Sequence, residues 1–259
     1  MTETAAAALA RLYDLDLSED PGDLDLYLAL ARQTGGPILE LAVGSGRLAV
    51  PLAADGREVT GVDLDPAMLA RAHVAADAAG APIARRLTLV HADAREVRLA
   101  SAGTFQLAFV ALNSLFLMGA RADQAAVIGT VAAHLAPGGL AAVDCWLPDA
   151  EDLARYDGRL VLEWVRDEPG TGRTVSKTGS ATWDQTTSTV RLTTVFEAGH
   201  PGEPAARWVR VDRLRVVAPD ELVAMAEAAG LRVEALAGDY DLGPLEPGAD
   251  RVVLLARRP

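Results

Sequence analysis

From Ile38 onward, short apolar runs alternate with segments whose apolar residues recur at helical spacing. The runs ILELAV, EVTGVDL, LTLVHAD and FQLAFVAL are apolar, and GRLAVPLAADG and PAMLARAHVAADAAG are helical. A helix over about 122–136 follows, then the turn APGG and the apolar run LAAVDCWL. Strands alternating with helices predict a parallel sheet covered on both faces, because parallel strands need crossover connections. The strands are uniformly apolar, as burial on both faces requires.

Either side of this pattern the texture differs. Residues 5–33 read as helical pieces broken by SEDPGD. From about 159 to 217 the period shortens to two in RTVSKTGSATWD, STVRLTTVFEAG and RWVRVDRLRVV, with EPGTG, DQTT and HPGEP as turns. This predicts a small antiparallel sheet inserted in the α/β domain. The helix PDELVAMAEAAG, stopped at Gly230, and the strands LRVEALAGDYD and RVVLLARRP then restore the first pattern. The expected organisation is an N-terminal helical lid over 1–37, an α/β domain over 38–150 and 218–259, and an inserted β subdomain over 151–217.

Composition narrows the function classes. Half of the 259 residues are apolar, enough for a substantial core. No run approaches the roughly 18 apolar residues of a membrane span, and the acidic, alanine-rich start is unlike a signal peptide, so no membrane partner and a cytoplasmic location are expected. Cys145, the single cysteine, allows no intramolecular disulfide or cysteine cluster, and no metal is expected. A net charge of −12 with scattered arginines disfavours nucleic acid. Lys177, the single lysine, lies far from any glycine-rich turn, which removes a Walker-type loop and disfavours Schiff-base chemistry.

The glycines of ILELAVGSGRLAV formally fit the GxGxxG/A fingerprint of dinucleotide enzymes, a weak signal by itself. Three carboxylates point elsewhere. Glu40 stands inside the first strand, Asp63 ends the second and Asp93 closes the third, all at the edge where such sheets bind ligands. That much negative charge suits a cationic or donor-rich ligand and fits a pyrophosphate poorly. Asp65 before Pro66 reads as a helix N-cap, and His91 as a packing residue.

The ordered motifs ELAVGSG, GVDLDPAMLARA, HADA, LAPGGL and GDYD…RVVLLARRP resemble those of class I S-adenosylmethionine-dependent methyltransferases of the small-molecule type, from about Ile38 to Pro259. The resemblance implies a Rossmann-like, mostly parallel sheet with its last strand antiparallel and helices on both faces. It implies S-adenosyl-L-methionine as cofactor and S-adenosyl-L-homocysteine as product. Glu40, Ala42, Gly44 and Gly46 would then form the turn under the methionine part, with Ala42 where many members have glycine. Asp63 would bind the ribose hydroxyls, Leu64 and Met68 flank the adenine, and Asp93, beside Ala94, accept from its amino group. Ala111 to Asn113 would complete the methionine pocket. Glycines at 44 and 46 are expected to let backbone amides approach the ligand.

The methyl acceptor is expected to be a small molecule carrying an amine or hydroxyl, since no NPPY-like motif follows the fourth strand and no general base is evident. Phe116, Met118 and Trp146 should lie at the carboxyl edge of the sheet beside the methyl group, with Tyr240 on the GDYD loop. Tyr13 and Tyr27 resemble the lid tyrosines of small-molecule and amino-sugar methyltransferases. One face of the inserted sheet should remain for solvent, for roofing the site, or for a second copy in a homodimer. Trp183 and Trp208 are the aromatics a roof or interface would recruit. A non-catalytic cofactor-binding relative and a nicotinamide-dependent oxidoreductase are the alternatives.

Overall fold

The computed structural model describes residues 3–200 and 202–259. Met1 and Thr2 of the expected lid, and Pro201 of the HPGEP turn, lie outside the described residues. Two compact units emerge, one made of Asp20–Leu147 with Val217–Pro259, the other of Pro148–Val216 with the residues up to Glu19.

The larger unit is a seven-stranded sheet. Its strands are β1 (Ile38–Leu41), β2 (Val59–Asp63), β3 (Leu87–His91), β4 (Phe105–Val110), β5 (Leu135–Trp146), β10 (Arg232–Ala237) and β11 (Arg251–Arg257). Their order is β10-β11-β5-β4-β1-β2-β3. The first five run parallel, and β11 is antiparallel to both β5 and β10. Helices α2 (Leu24–Thr34), α3 (Ala49–Ala54), α4 (Pro66–Ala79), α5 (Ala81–Ala84), α6 (Arg121–His134) and α8 (Pro219–Ala228) accompany it. All four residues of β1 are buried, whereas β3 at the sheet edge is half-exposed. Asp65 caps α4 by accepting from the amide of Ala67, with Pro66 in the first turn where its missing N–H costs nothing.

One expected boundary moves. The APGG segment is an irregularity inside β5 and not a turn before it, and α6 ends at His134. The pairing with β4 jumps from Phe105↔Leu135 to Leu107↔Leu140, with Gly138 at φ +77° taking the bend. The segment stays in the sheet because Gly138 donates to the Arg258 carbonyl at 2.8 Å and Arg258 donates back to that of Gly139 at 2.9 Å.

The smaller unit is a four-stranded antiparallel sheet of β6 (Val161–Glu168), β7 (Arg173–Asp184), β8 (Thr189–Gly199) and β9 (Ala206–Arg215), in chain order, with helices α1 (Ala5–Asp16) and α7 (Ala150–Ala154). Its register puts Trp164, Lys177, Phe196 and Trp208 in one row across the sheet. Leu12 and Leu15 of α1 share a buried cluster with Val175, Phe196 and Ala198, and Trp164 and Trp208 pack against it. The end of α1 is held by charge. Asp16 accepts from Lys177 Nζ at 2.6 Å and from Trp164 Nε1 at 2.8 Å, and Arg166 donates to the carbonyl of Leu15 at 2.7 Å.

The expected lid of residues 1–37 is therefore not one element, since α1 groups with the inserted sheet and α2 with the larger one. Periodicity shows that α1 has an apolar face, but not what that face packs on. Trp183, opposite Val190, and Trp208 both stand on the face of the inserted sheet that α1 covers. On the other face Leu162, Val165, Val209 and Val211 are exposed. No helix of the described residues is long and apolar enough to cross a membrane.

Candidate functional site

Glu40 lies in the middle of the larger sheet, in register with Gly61 of β2 and Phe109 of β4. Its carboxyl is 4% exposed, and its Oε2 has no hydrogen-bond partner. Burial pushes its pKa well up; Arg47 pulls it down, and Asp23 and Asp63 push it further up. An orphaned buried carboxylate oxygen is costly and marks a place where a donor is missing.

Beyond β1 the chain turns through three left-handed residues, Ala42 at φ +60°, Gly44 at +58° and Gly46 at +83°. The amides of both glycines are engaged within the protein. Gly44 donates to Asp63 Oδ2 at 2.8 Å and Gly46 to the Val43 carbonyl at 3.1 Å. Both of these amides are thus occupied by groups of the protein itself. The glycines serve the left-handed turn and close packing, for a Cβ on Gly46 would meet Ala72 Cβ and Val50 Cγ2 at 3.2 Å.

Asp63 also accepts the Asp65 amide at 2.8 Å through Oδ1. Burial raises its pKa against the pull of these amides. Two further groups frame the edge. Asp23, fully buried, takes two bonds from the Arg47 guanidinium at 2.6 and 2.5 Å. Asp144 near the end of β5, also fully buried, accepts from Tyr27 Oη at 2.5 Å, from Tyr240 Oη at 3.1 Å and, with both oxygens, from the Leu112 amide at 3.1 Å. Arg251 lies 3.8 Å from it, stacked 3.9 Å from the centroid of the Tyr240 ring.

Residues 38–139 match the family described as a methyltransferase domain. The molecule has the class I methyltransferase fold. The chain is 27% identical over 227 residues to the cypemycin N-terminal methyltransferase of a Streptomyces species, covering 86% of this chain and 84% of that one. The CcbJ methyltransferase from Streptomyces caelestis superposes with a TM-score of 0.76 at 24% identity, over 93% of this chain and 98% of the other. CalS10 from Micromonospora echinaspora, described as an amino pentose methyltransferase in calicheamicin biosynthesis with S-adenosylmethionine bound, gives 0.71 at 21% identity over 100% and 98%. At these identities the two structures establish the fold.

In the larger sheet Glu40 stands in β1, Ala42, Gly44 and Gly46 follow it in the left-handed turn that Asp63 joins through the Gly44 amide, and Ala111 and Asn113 follow the neighbouring β4. Leu64 is 62% exposed just past Asp63, Met68 is half-buried on α4, and Ala94 is buried. Asp93 is held by Arg95, whose Nη2 and Nε donate to it at 2.5 and 3.0 Å and keep its carboxyl below the ordinary value. Trp146 is joined to this edge through its amide, which donates to Asn113 Oδ1. Tyr27 is wholly buried against Phe109, ring centroids 4.3 Å apart, so only its hydroxyl is turned to polar company. Phe116 is buried, while Met118 and Tyr240 are half-buried. Tyr13 and Trp183 belong to the smaller unit. Among the described residues no cluster could hold a metal ion.

Sequence reasoning missed Asp23, Arg47, Asp144 and Arg251. Asp144 was detectable by the rule that marks Glu40, a carboxylate within an apolar strand. Asp23 and Arg251 lie in polar surroundings with no such contrast.

Proposed function

We propose that this protein is an S-adenosylmethionine-dependent methyltransferase that methylates an amine of a small molecule and releases S-adenosylhomocysteine. The unpartnered Oε2 of Glu40 carries the reading. Four acids, Asp23, Glu40, Asp63 and Asp144, face two arginines, Arg47 and Arg251, at this edge. A ligand with a sulfonium and an ammonium suits that imbalance, whereas a pyrophosphate would worsen it.

When bound, the cofactor supplies an electrophilic methyl group on its sulfonium. Glu40 answers its ammonium side. Asp63 retains acceptor capacity for ribose hydroxyls, since a carboxylate offers about four lone-pair sites and two amides occupy it. Leu64 and Met68 flank the adenine, Asp93 and Ala94 meet its amino edge, and Ala111 to Asn113 close the methionine pocket. Phe116, Met118, Trp146 and Tyr240, with Tyr27, are the proposed surroundings of the acceptor.

An amine is favoured over a hydroxyl because neither phenol here is poised as a base. Burial first, then the neighbouring Asp144 charge, raises the Tyr27 and Tyr240 pKa values, and both hydroxyls donate to Asp144. A neutral amine brings its own lone pair, and the residues need only hold it in line in a dry site. The relatives described as an amino pentose methyltransferase and as an N-terminal methyltransferase support this reading. The face of the inserted sheet that exposes Leu162, Val209 and Val211 is the proposed meeting surface of a homodimer, to be tested by solution mass.

Calorimetry with S-adenosylhomocysteine, followed by mass spectrometry of amine and hydroxyl acceptors, tests the proposal. Cofactor binding with no acceptor methylated would mark a non-catalytic relative, and preference for a nicotinamide dinucleotide would refute it.

A further inference from the structure

The turn after β4 is unusual in its backbone. Leu112 at φ +49° and Asn113 at φ +63° are consecutive left-handed residues, and neither is glycine. A leucine persists in that conformation only where its surroundings impose it. Here β5 does so from three points. Both oxygens of Asp144 take the Leu112 amide, the Asp144 carbonyl accepts the Asn113 amide at 3.3 Å, and the Asn113 side chain accepts the Trp146 amide.

We propose that Asp144 is a positioning residue, which sets the Leu112–Asn113 backbone in the shape that receives the amino-acid half of the cofactor and ties it to α2 and the 238–241 loop. The inference rests on the cofactor reading above. Asp144 is not a base, because Tyr27, Tyr240 and the Leu112 amide already supply its donors and Arg251 stands beside it. The two tyrosines come from elements far apart in the chain, so the carboxylate fixes three segments against one another. Arg251 donates to the Tyr240 hydroxyl, which completes the chain of bonds.

The test uses two probes, S-adenosylhomocysteine and 5′-methylthioadenosine, which shares the adenosine and lacks the amino-acid group. Asp144→Asn should weaken S-adenosylhomocysteine binding by about tenfold or more and leave methylthioadenosine within about twofold, since the ribose and adenine contacts do not depend on the β4 turn. Unchanged affinity for both, or equal loss for both, would overturn the role of Asp144. If Asp144→Asn does not fold, Tyr240→Phe removes one donor at the half-buried rim and should give about a threefold loss confined to S-adenosylhomocysteine. Equal losses for the two probes in that variant, or none, would overturn the role as well. A wild-type protein that bound neither probe would refute the cofactor reading itself.

Discussion

Asp63 closes the glycine turn from across the sheet, its Oδ2 taking the Gly44 amide at 2.8 Å while its Oδ1 takes that of Asp65. One carboxylate thus joins the end of β2 to the loop after β1, and a ribose would meet an acceptor whose orientation is already set. Asp63→Ala should lower S-adenosylhomocysteine affinity at least about tenfold, in line with roughly 1.5–3 kcal/mol for hydrogen bonds to a charged group. Asp65→Ala should cost about 1 kcal/mol of stability through the lost N-cap and leave that affinity unchanged. Calorimetry and urea unfolding separate the two, and normal binding by Asp63→Ala would remove the ribose assignment.

Two small substitutions in the same turn should have opposite signs. Ala42 holds φ +60°, which costs an L-residue about 1–2 kcal/mol, so Ala42→Gly should be neutral or stabilise by about 0.5–1 kcal/mol after the greater unfolded-state freedom of glycine is subtracted. Gly46→Ala combines φ +83° with contacts at 3.2 Å and should destabilise by about 1–2 kcal/mol. Urea midpoints measured side by side check both. A stabilising Gly46→Ala would refute this geometry.

Glu40 should reduce the stability of the free protein at neutral pH. Its folded pKa is raised by burial, so between the ordinary value of 4.5 and the raised one the folded state binds more protons than the unfolded state. Stability contributed by this residue therefore falls as pH rises through that window. Glu40→Gln, which cannot ionise, should melt close to the wild type near pH 4 and progressively above it as pH increases. A difference in melting temperature that stays constant with pH would contradict the assigned environment.

Leu12 on α1 is fully buried in the cluster with Val175 and Phe196. Leu12→Ala should cost about 2–5 kcal/mol in the smaller unit. The readout is tryptophan fluorescence during urea unfolding, because Trp164 and Trp208 pack against that cluster. An unchanged transition would place α1 elsewhere.

The alternation of apolar runs and helices was enough to read the parallel sheet, because burial on both faces leaves little choice of residue in β1, β2 and β4. Glu40 and Asp63 were legible for the complementary reason, that a carboxylate in an apolar strand has to be explained. Asp144 carried the same mark and escaped notice, for its partners Tyr27 and Tyr240 are distant in sequence and a three-way bond leaves no local pattern. The division of the N-terminal segment was not legible either, since the apolar face of α1 records that it is covered and not by what. The engagement of the Gly44 amide depends on how the turn folds back on β2, which the spacing of glycines does not encode.

The central claim is that the buried, unpartnered carboxylate of Glu40 awaits the ammonium of the cofactor. Titrating wild type and Glu40→Gln with S-adenosylhomocysteine at neutral pH tests it most directly. The account predicts one-to-one binding by the wild type and affinity at least about tenfold, or ~1.4 kcal/mol, weaker in the variant, although the variant is the more stable protein. Equal affinity in the two proteins, or no binding by the wild type, would contradict it.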